Sequence, residues 1–210
     1  MNAAVEMIPG SDEWHQARIG KVTASRIADM MAKTKSGWGA GRKNYMAELV
    51  AERLTGKPAE HFVSGAMQWG IDNEPDARIA YEFYTDNTVI EVDPTNHPVI
   101  PMSLASPDGA IDSDGLVEIK CPNTATHIDT MLSNNIPNKY VLQMQWQMAC
   151  TNRQWCDFVS FDPRMPENME LYVQRIERDD NLIGEIEAAA ETFLAELNVT
   201  VNELNERYSA

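Results

Sequence analysis

Ser106-Pro107-Asp108-Gly109-Ala110-Ile111-Asp112-Ser113-Asp114-Gly115-Leu116-Val117-Glu118-Ile119-Lys120 is the most informative stretch of this chain. Its end, continued by Cys121, is a short β-type run over residues 116–121. Side chains on a strand alternate between faces. Glu118 and Lys120 therefore share one face, and Ile119 between them points into the core. With Asp108 at the end of the neighbouring strand, two carboxylates and an ammonium come together.

Each piece alone has a plainer explanation. A Glu-x-Lys on a strand is commonly a solvated face with a weak ion pair, and a Pro-Asp-Gly is usually a turn. The combination is more specific, with Glu118 ten residues after Asp108 and an apolar residue between Glu118 and Lys120. Two carboxylates and a backbone carbonyl, that of Ile119, suit Mg²⁺, which prefers an octahedron of oxygens completed by water and substrate phosphate. Such an ion polarises a scissile phosphate and lowers the pKa of a bound water. Lys120 is then expected to orient that water or to stabilise charge in the transition state.

Outward from this stretch, the N-terminal side reads helical. Ser11-Asp12-Glu13 opens a short helix through Arg18, and Thr23-Ala24-Ser25 caps another to about Met31. A glycine-rich loop over residues 35–41 precedes a helix from about Asn44 to Leu54. A further helix spans about residues 66–84, with Pro75 kinking it or opening a second one. On the other side the pattern becomes strand-like at 89–92 and 99–104, then at 155–161 and 171–176 after a helix at 138–150. A long acidic helix begins near Asp180. In the 138–150 helix, Val141, Met144 and Met148 form an apolar core stripe, with Tyr140, Gln143 and Gln147 on the adjacent polar one. The expected fold class is α/β, a central mixed β-sheet flanked by helices, as a single domain over residues 1–210.

The Pro-Asp…Glu-x-Lys pattern resembles that of the restriction-endonuclease-like nuclease superfamily. Three further segments narrow the resemblance to the lambda exonuclease family of phage recombination. Trp14-His15-x-x-Arg18-x-Gly20-x-x-Thr23-Ala24-Ser25 is similar to its N-terminal motif. Trp69-Gly70-x-x-x-Glu74-x-Asp76-Ala77-Arg78 resembles the helix carrying its extra carboxylate. Tyr140-x-x-Gln143-x-Gln145-x-x-Met148 resembles the helix after its catalytic strand. Asp162-Pro163-Arg164-Met165 and Ile176-Glu177-Arg178-Asp179 extend the likeness along nearly the whole chain.

The resemblance implies a Mg²⁺-dependent exonuclease that digests one strand of double-stranded DNA from its 5′ end. The products would be mononucleotides and a 3′ overhang for recombination by strand annealing. It implies Asp108, Glu118 and the carbonyl of Ile119 as metal ligands, Glu74 at a second metal position, Mn²⁺ as a possible substitute, and Lys120 as the catalytic lysine. It further implies Arg18 and Ser25 on the 5′-phosphate, Met67 as an apolar wedge in the DNA end, and Tyr140 and Gln143 lining the site. The implied partners are DNA ends, a single-strand annealing protein and two further copies of the chain in a ring-shaped trimer. The implied setting is the cytoplasm of a bacterial host, for a phage or prophage protein. The family carries an arginine where Thr126 stands, so either the phosphate pocket is weaker here or another cation, such as Arg26 or Lys21, replaces it. A restriction-like endonuclease is the alternative, but it needs base-reading elements, and no obvious insertion provides them.

Composition fits and constrains this reading. The net charge is −15, and only residues 1–60 are net positive, with 9 Lys+Arg against 7 Asp+Glu. Residues 61–120 carry 2 against 11, an acidic block that is either solvated or holds a cation. The three cysteines, with no CxxC pair, read as buried free thiols and leave no framework for a disulfide scaffold, a zinc site or an iron–sulfur cluster. The four histidines are dispersed. Residues 1–6 have neither the basic start nor the apolar run of a signal peptide, and no apolar run reaches the length of about 18 residues that spans a bilayer.

Overall fold

The computed structural model describes residues 11–35, 37–59 and 64–209. Residues 1–6, read above against a leader, Ser36 of the glycine-rich loop and His61 lie outside these. Helix α1 (Asp12–Arg18) starts where expected, with the Ser11 hydroxyl accepting the Trp14 N–H at 3.2 Å. The next stretch differs from the sequence reading. Thr23 lies in a two-residue strand, β1 (Val22–Thr23), and its side chain caps nothing. Pairing of β1 with residues 103–104 holds Thr23 extended, so the expected helix breaks into a 3₁₀ turn (Ala24–Arg26) and the single turn α2 (Ile27–Met30). The glycine-rich stretch folds as a small hairpin, β2 (Lys33–Thr34) against β3 (Gly37–Trp38). Helix α3 (Ala40–Thr55) then begins at Ala40 rather than near Asn44. Its first turn is secured by buried Arg42, which donates to the Met30 carbonyl (3.0 Å) and to Glu196 (2.7 Å).

Helix α4 (Gly65–Thr85) is capped by Ser64 and runs through Pro75 as one element. The expected strand at 89–92 reduces to a single bridge between Ile90 and Ala110. That at 99–104 reduces to β5 (Ser103–Ala105), which pairs with β4 (Thr95–Asn96). Two prolines and one histidine explain the loss. Pro98 and Pro101 have no N–H for a ladder, and the His97 ring accepts the N–H of Ile100 at 3.1 Å, closing a turn.

The larger sheet has the order β6-β7-β8-β9, from β6 (Gly109–Ile111), β7 (Gly115–Lys120), β8 (Trp155–Phe161) and β9 (Leu171–Glu177). Only the β7–β8 pair is parallel, so the sheet is mixed as expected. Two helices, not one, cross between β7 and β8: α5 (Thr124–Ser133) and α6 (Asn138–Thr151). The polar Thr-Ala-Thr-His run hides α5 from hydrophobic periodicity, although Asn123 caps it through the Thr126 N–H at 2.9 Å. The chain closes with α7 (Asp180–Tyr208).

Alternation along β7 divides the core. Val117, Ile119 and Cys121 face α4, packing with Ala77 and Tyr81. Leu116 faces α6, packing with Met144 and Met148. Helix α6 lies buried between that face and a helical layer of α2, α3 and α7, where Trp146 meets Tyr45 and Phe193. A helix covered on both sides should be apolar nearly all round, and the three glutamines of α6 are exceptions with specific partners. All three cysteines are free and buried, as expected. The acidic residues of α7 lie outside an apolar face of Ile183, Ile186, Ala190, Phe193, Leu194 and Leu197. No helix among the described residues is long and apolar enough to cross a membrane.

Gly109 is where the fold is least forgiving. It begins β6 rather than sitting in a free turn, and a Cβ there would lie 2.2 Å from Val89 Cγ1. Gly109→Ala is expected to destabilise the protein by about 1–3 kcal/mol through overpacking, measured as a lower urea midpoint at an unchanged slope.

Candidate active site

The antiparallel register of β6 on β7 pairs Gly109 with Val117, Ala110 with Leu116 and Ile111 with Gly115. Continued by one residue, it sets Asp108 opposite Glu118. Asp108 Oδ2 accepts the main-chain N–H of Ile119 at 2.7 Å. The loop before β6 is tied from two further sides. Arg78, one turn after Glu74 on α4, donates to the Asp108 carbonyl at 2.8 Å. Trp14 Nε1 on α1 donates to Ser106 Oγ at 3.2 Å.

Glu118 is fully buried and points toward α6. Its Oε1 accepts Gln143 Nε2 at 2.5 Å and pairs with the Lys120 ammonium, and its Oε2 accepts Gln147 Nε2 at 2.6 Å. Lys120 also lies 5.5 Å from the Tyr140 ring centroid. Asp108, Glu118, Lys120, Tyr140 and Gln143 are thus brought together as expected, with Ile119 inserted into the core between the charged pair. Glu74 faces the same group from α4 and feels both Lys120 and Glu118.

The electrostatics follow from burying acids around one cation. Burial, reinforced by Glu118, pushes the Asp108 carboxyl up to about 8. Burial also raises Glu74, against the pull of Lys120 and Arg78. Burial alone would lower Lys120, but Glu118 and Asp108 outweigh it and the ammonium is held above its ordinary value. Oxygen-only donors crowded around a single ammonium are the surroundings a hard divalent cation relieves. Asp108, Glu118 and Glu74 fit such an ion by donor type. Among the described residues no three His, Cys, Asp or Glu side chains already stand as a closed metal cluster.

The remaining expected residues lie in different settings. Arg18 is half-buried with its guanidinium 4.0 Å over the Trp14 ring. No carboxylate pairs with it among the described residues, and burial lowers its pKa. The nearby Glu52 is engaged instead with the N–H groups of Gly20 and Ala59. Ser25 is exposed in the 3₁₀ turn, and no hydrogen bond joins it to Arg18 among the described residues. Met67 is 52% exposed, so it is not a core methionine. Of the two cations considered in place of an arginine at position 126, Arg26 is neutralised by Asp29 and by both oxygens of Glu48. Lys21 donates to the neutral side chain of Asn96 at 3.2 Å.

Sequence reasoning missed the Trp14–Ser106 tether and the Arg78 contact, because neither long-range pair leaves a local pattern. Gln147 had a signal: it stands four residues after Gln143 on the same polar stripe. His127 is structural, its ring buried between Ser160 Oγ at 2.7 Å and the Met169 carbonyl at 2.9 Å.

The YqaJ-like viral recombinase domain matches residues 13–154 of the chain. The chain belongs to this family. It is 50% identical to an alkaline exonuclease from Laribacter hongkongensis, covering 95% of this chain and 98% of that one with a TM-score of 0.89. The structure of that exonuclease in complex with dAMP matches at the same identity and coverage, with a TM-score of 0.90. A phage-related exonuclease from Haemophilus somnus 129PT is 16% identical, with 88% of this chain and 96% of that one covered and a TM-score of 0.73, a likeness of fold. Comparison with curated protein sequences gives no match. The YqaJ-like chain thus has the restriction-endonuclease-like fold of phage-type exonucleases, with β6 and β7 carrying the acidic site.

Proposed function

We propose that this protein is a Mg²⁺-dependent exonuclease that digests one strand of double-stranded DNA from its 5′ end, releasing mononucleotides and leaving a 3′ overhang for recombination by strand annealing. The observation that carries the reading is the convergence of Asp108, Glu118 and Lys120 where β6 meets β7, in a chain half identical to an alkaline exonuclease.

Asp108, Glu118 and the carbonyl of Ile119 would hold one Mg²⁺, and Glu74 would help hold a second. When bound, the metal supplies Lewis-acid polarisation of the phosphate and a more acidic water. Lys120, kept charged by its two carboxylates, acts as a fixed positive charge toward the developing phosphorane rather than as a base. Tyr140 and Gln143 keep Lys120 and Glu118 in place. Water adds to phosphorus, the bond to the 3′ oxygen of the terminal nucleotide breaks, and that oxygen takes up a proton. The new DNA end carries a 5′-phosphate, the group that Arg18 suits. A guanidinium held on an indole, with no carboxylate paired to it among the described residues, and linked through Trp14 to Ser106 offers charge-assisted donors to such a phosphate beside the catalytic loop. Ser25 would contribute its hydroxyl, and exposed Met67 would wedge the end base pair.

A ring-shaped trimer completes the proposal. Several cations of the net-positive N-terminal quarter are spent internally: Arg26 on Asp29 and Glu48, Arg42 on Glu196, Arg53 on the Gly20 carbonyl and Asn198. Counterion release therefore contributes little to DNA retention. Three chains carry −45, three times −15, and a closed ring built from one repeated interface retains DNA topologically. Its 3′-overhang product is the substrate class of a single-strand annealing protein.

End-labelled linear duplex incubated with and without Mg²⁺ reads strand polarity directly. Lys120→Ala is expected to retain the fold, seen by circular dichroism, while losing about 10²–10³-fold in turnover, and near-normal turnover would refute the assignment. On 5′-phosphorylated against 5′-hydroxyl ends, wild type should prefer the phosphate. Arg18→Ala should lose about 10-fold or more of that preference, and equal wild-type rates on the two ends would remove the pocket. Light scattering should give about 71 kDa, three times 23.6 kDa, with digestion persisting after excess competitor DNA is added. A monomer, or an immediate stop, would exclude enclosure.

A further inference from the structure

Gln147 is fully buried on the sheet-facing side of α6. Its Nε2 donates to Glu118 Oε2 at 2.6 Å, while its own side-chain carbonyl oxygen is buried without a partner among the described residues. A half-satisfied buried amide is a net cost to a fold. Met144 and Met148 on the same helix show that this layer accepts unbranched apolar side chains of similar length. Packing therefore does not account for a glutamine at this position, whereas its bond to Glu118 does.

We propose that Gln147 is a positioning residue for the catalytic carboxylate, holding Oε2 of Glu118 as the oxygen that a divalent cation uses. The proposal rests on reading Glu118 as a metal ligand. A carboxylate oxygen has two lone pairs. Oε1 already receives both Gln143 and Lys120, whereas Oε2 receives Gln147 alone among the described residues. Oε2 is thus the oxygen with a lone pair to give. The two glutamines, one helical turn apart, grip one oxygen each and remove the rotation that would exchange them. Partners that orient a ligating carboxylate typically control metal affinity by about 10–100-fold.

The test is a Mn²⁺ titration followed by electron paramagnetic resonance on wild type, E118Q, Q147M, Q147N and M148L, each with a melting curve and steady-state rates on linear duplex. Q147M removes the donor at similar volume. Q147N keeps an amide too short to reach, and reports if Q147M fails to fold. Both should bind Mn²⁺ about 10-fold or more weakly and need correspondingly more metal for half-maximal rate, with KM for DNA ends unchanged. M148L, equally buried one residue on, should bind Mn²⁺ as wild type does. Wild-type Mn²⁺ affinity in the Gln147 variants overturns the proposal, and so does an equal loss in M148L, which would make the effect one of packing. If E118Q itself binds Mn²⁺ like wild type, the assignment of Glu118 as a ligand fails instead, and the Gln147 role fails with it.

Discussion

The bond from the Ile119 main-chain N–H to Asp108 Oδ2 and the antiparallel register it extends are the constraint on which the rest of the site depends. A slip of one residue would turn every side chain of β6 to the other face, parting Asp108 from Glu118. The register is protected from several directions. Gly109 alone fits against Val89, Arg78 holds the Asp108 carbonyl from α4, and Trp14 holds Ser106 from α1. The same three elements carry Glu74, the Asp108 loop and Arg18. A displacement of that loop would therefore be felt at the carboxylates and at Arg18 together.

Charge is distributed so that acids are buried where cations are scarce. Asp108, Glu74 and Glu118 surround one ammonium, and two glutamines of α6 supply neutral donors to Glu118 where arginines would otherwise be expected. Neutral donors satisfy a buried carboxylate without cancelling its charge, which leaves that charge available to a cation. The opposite arrangement occurs on the far face of the sheet. There Asp157 takes both Nε and Nη2 of Arg175 and the Tyr81 hydroxyl, a closed network with no charge to spare. The third glutamine of α6 illustrates a purely structural use: Gln145 bridges the Glu177 carbonyl and the Asp179 N–H, joining the end of β9 to the start of α7.

The sequence by itself determined the parts that rest on local pattern. Alternation placed Glu118 and Lys120 on one face with Ile119 in the core, helical periodicity found α4, α6 and α7, and the spacing of Asp108 from Glu118 brought the acids together. It misplaced β-structure between residues 89 and 104, where prolines lack the N–H a ladder would need and the His97 ring takes that of Ile100. It missed α5, whose capping is local but whose apolar face is short. Only the tertiary structure decided which charges are free. Arg18 and Arg26 are the same residue type eight positions apart in sequence, yet one lies over the Trp14 ring with no carboxylate paired to it among the described residues and the other is neutralised by Glu48, a residue of a different helix. It also decided that Gln143 and Gln147 hold separate oxygens of one carboxylate. The physical reason is common to both: a side chain's charge and hydrogen-bonding capacity are fixed by its covalent structure, but what they are spent on depends on neighbours that packing brings from distant parts of the chain.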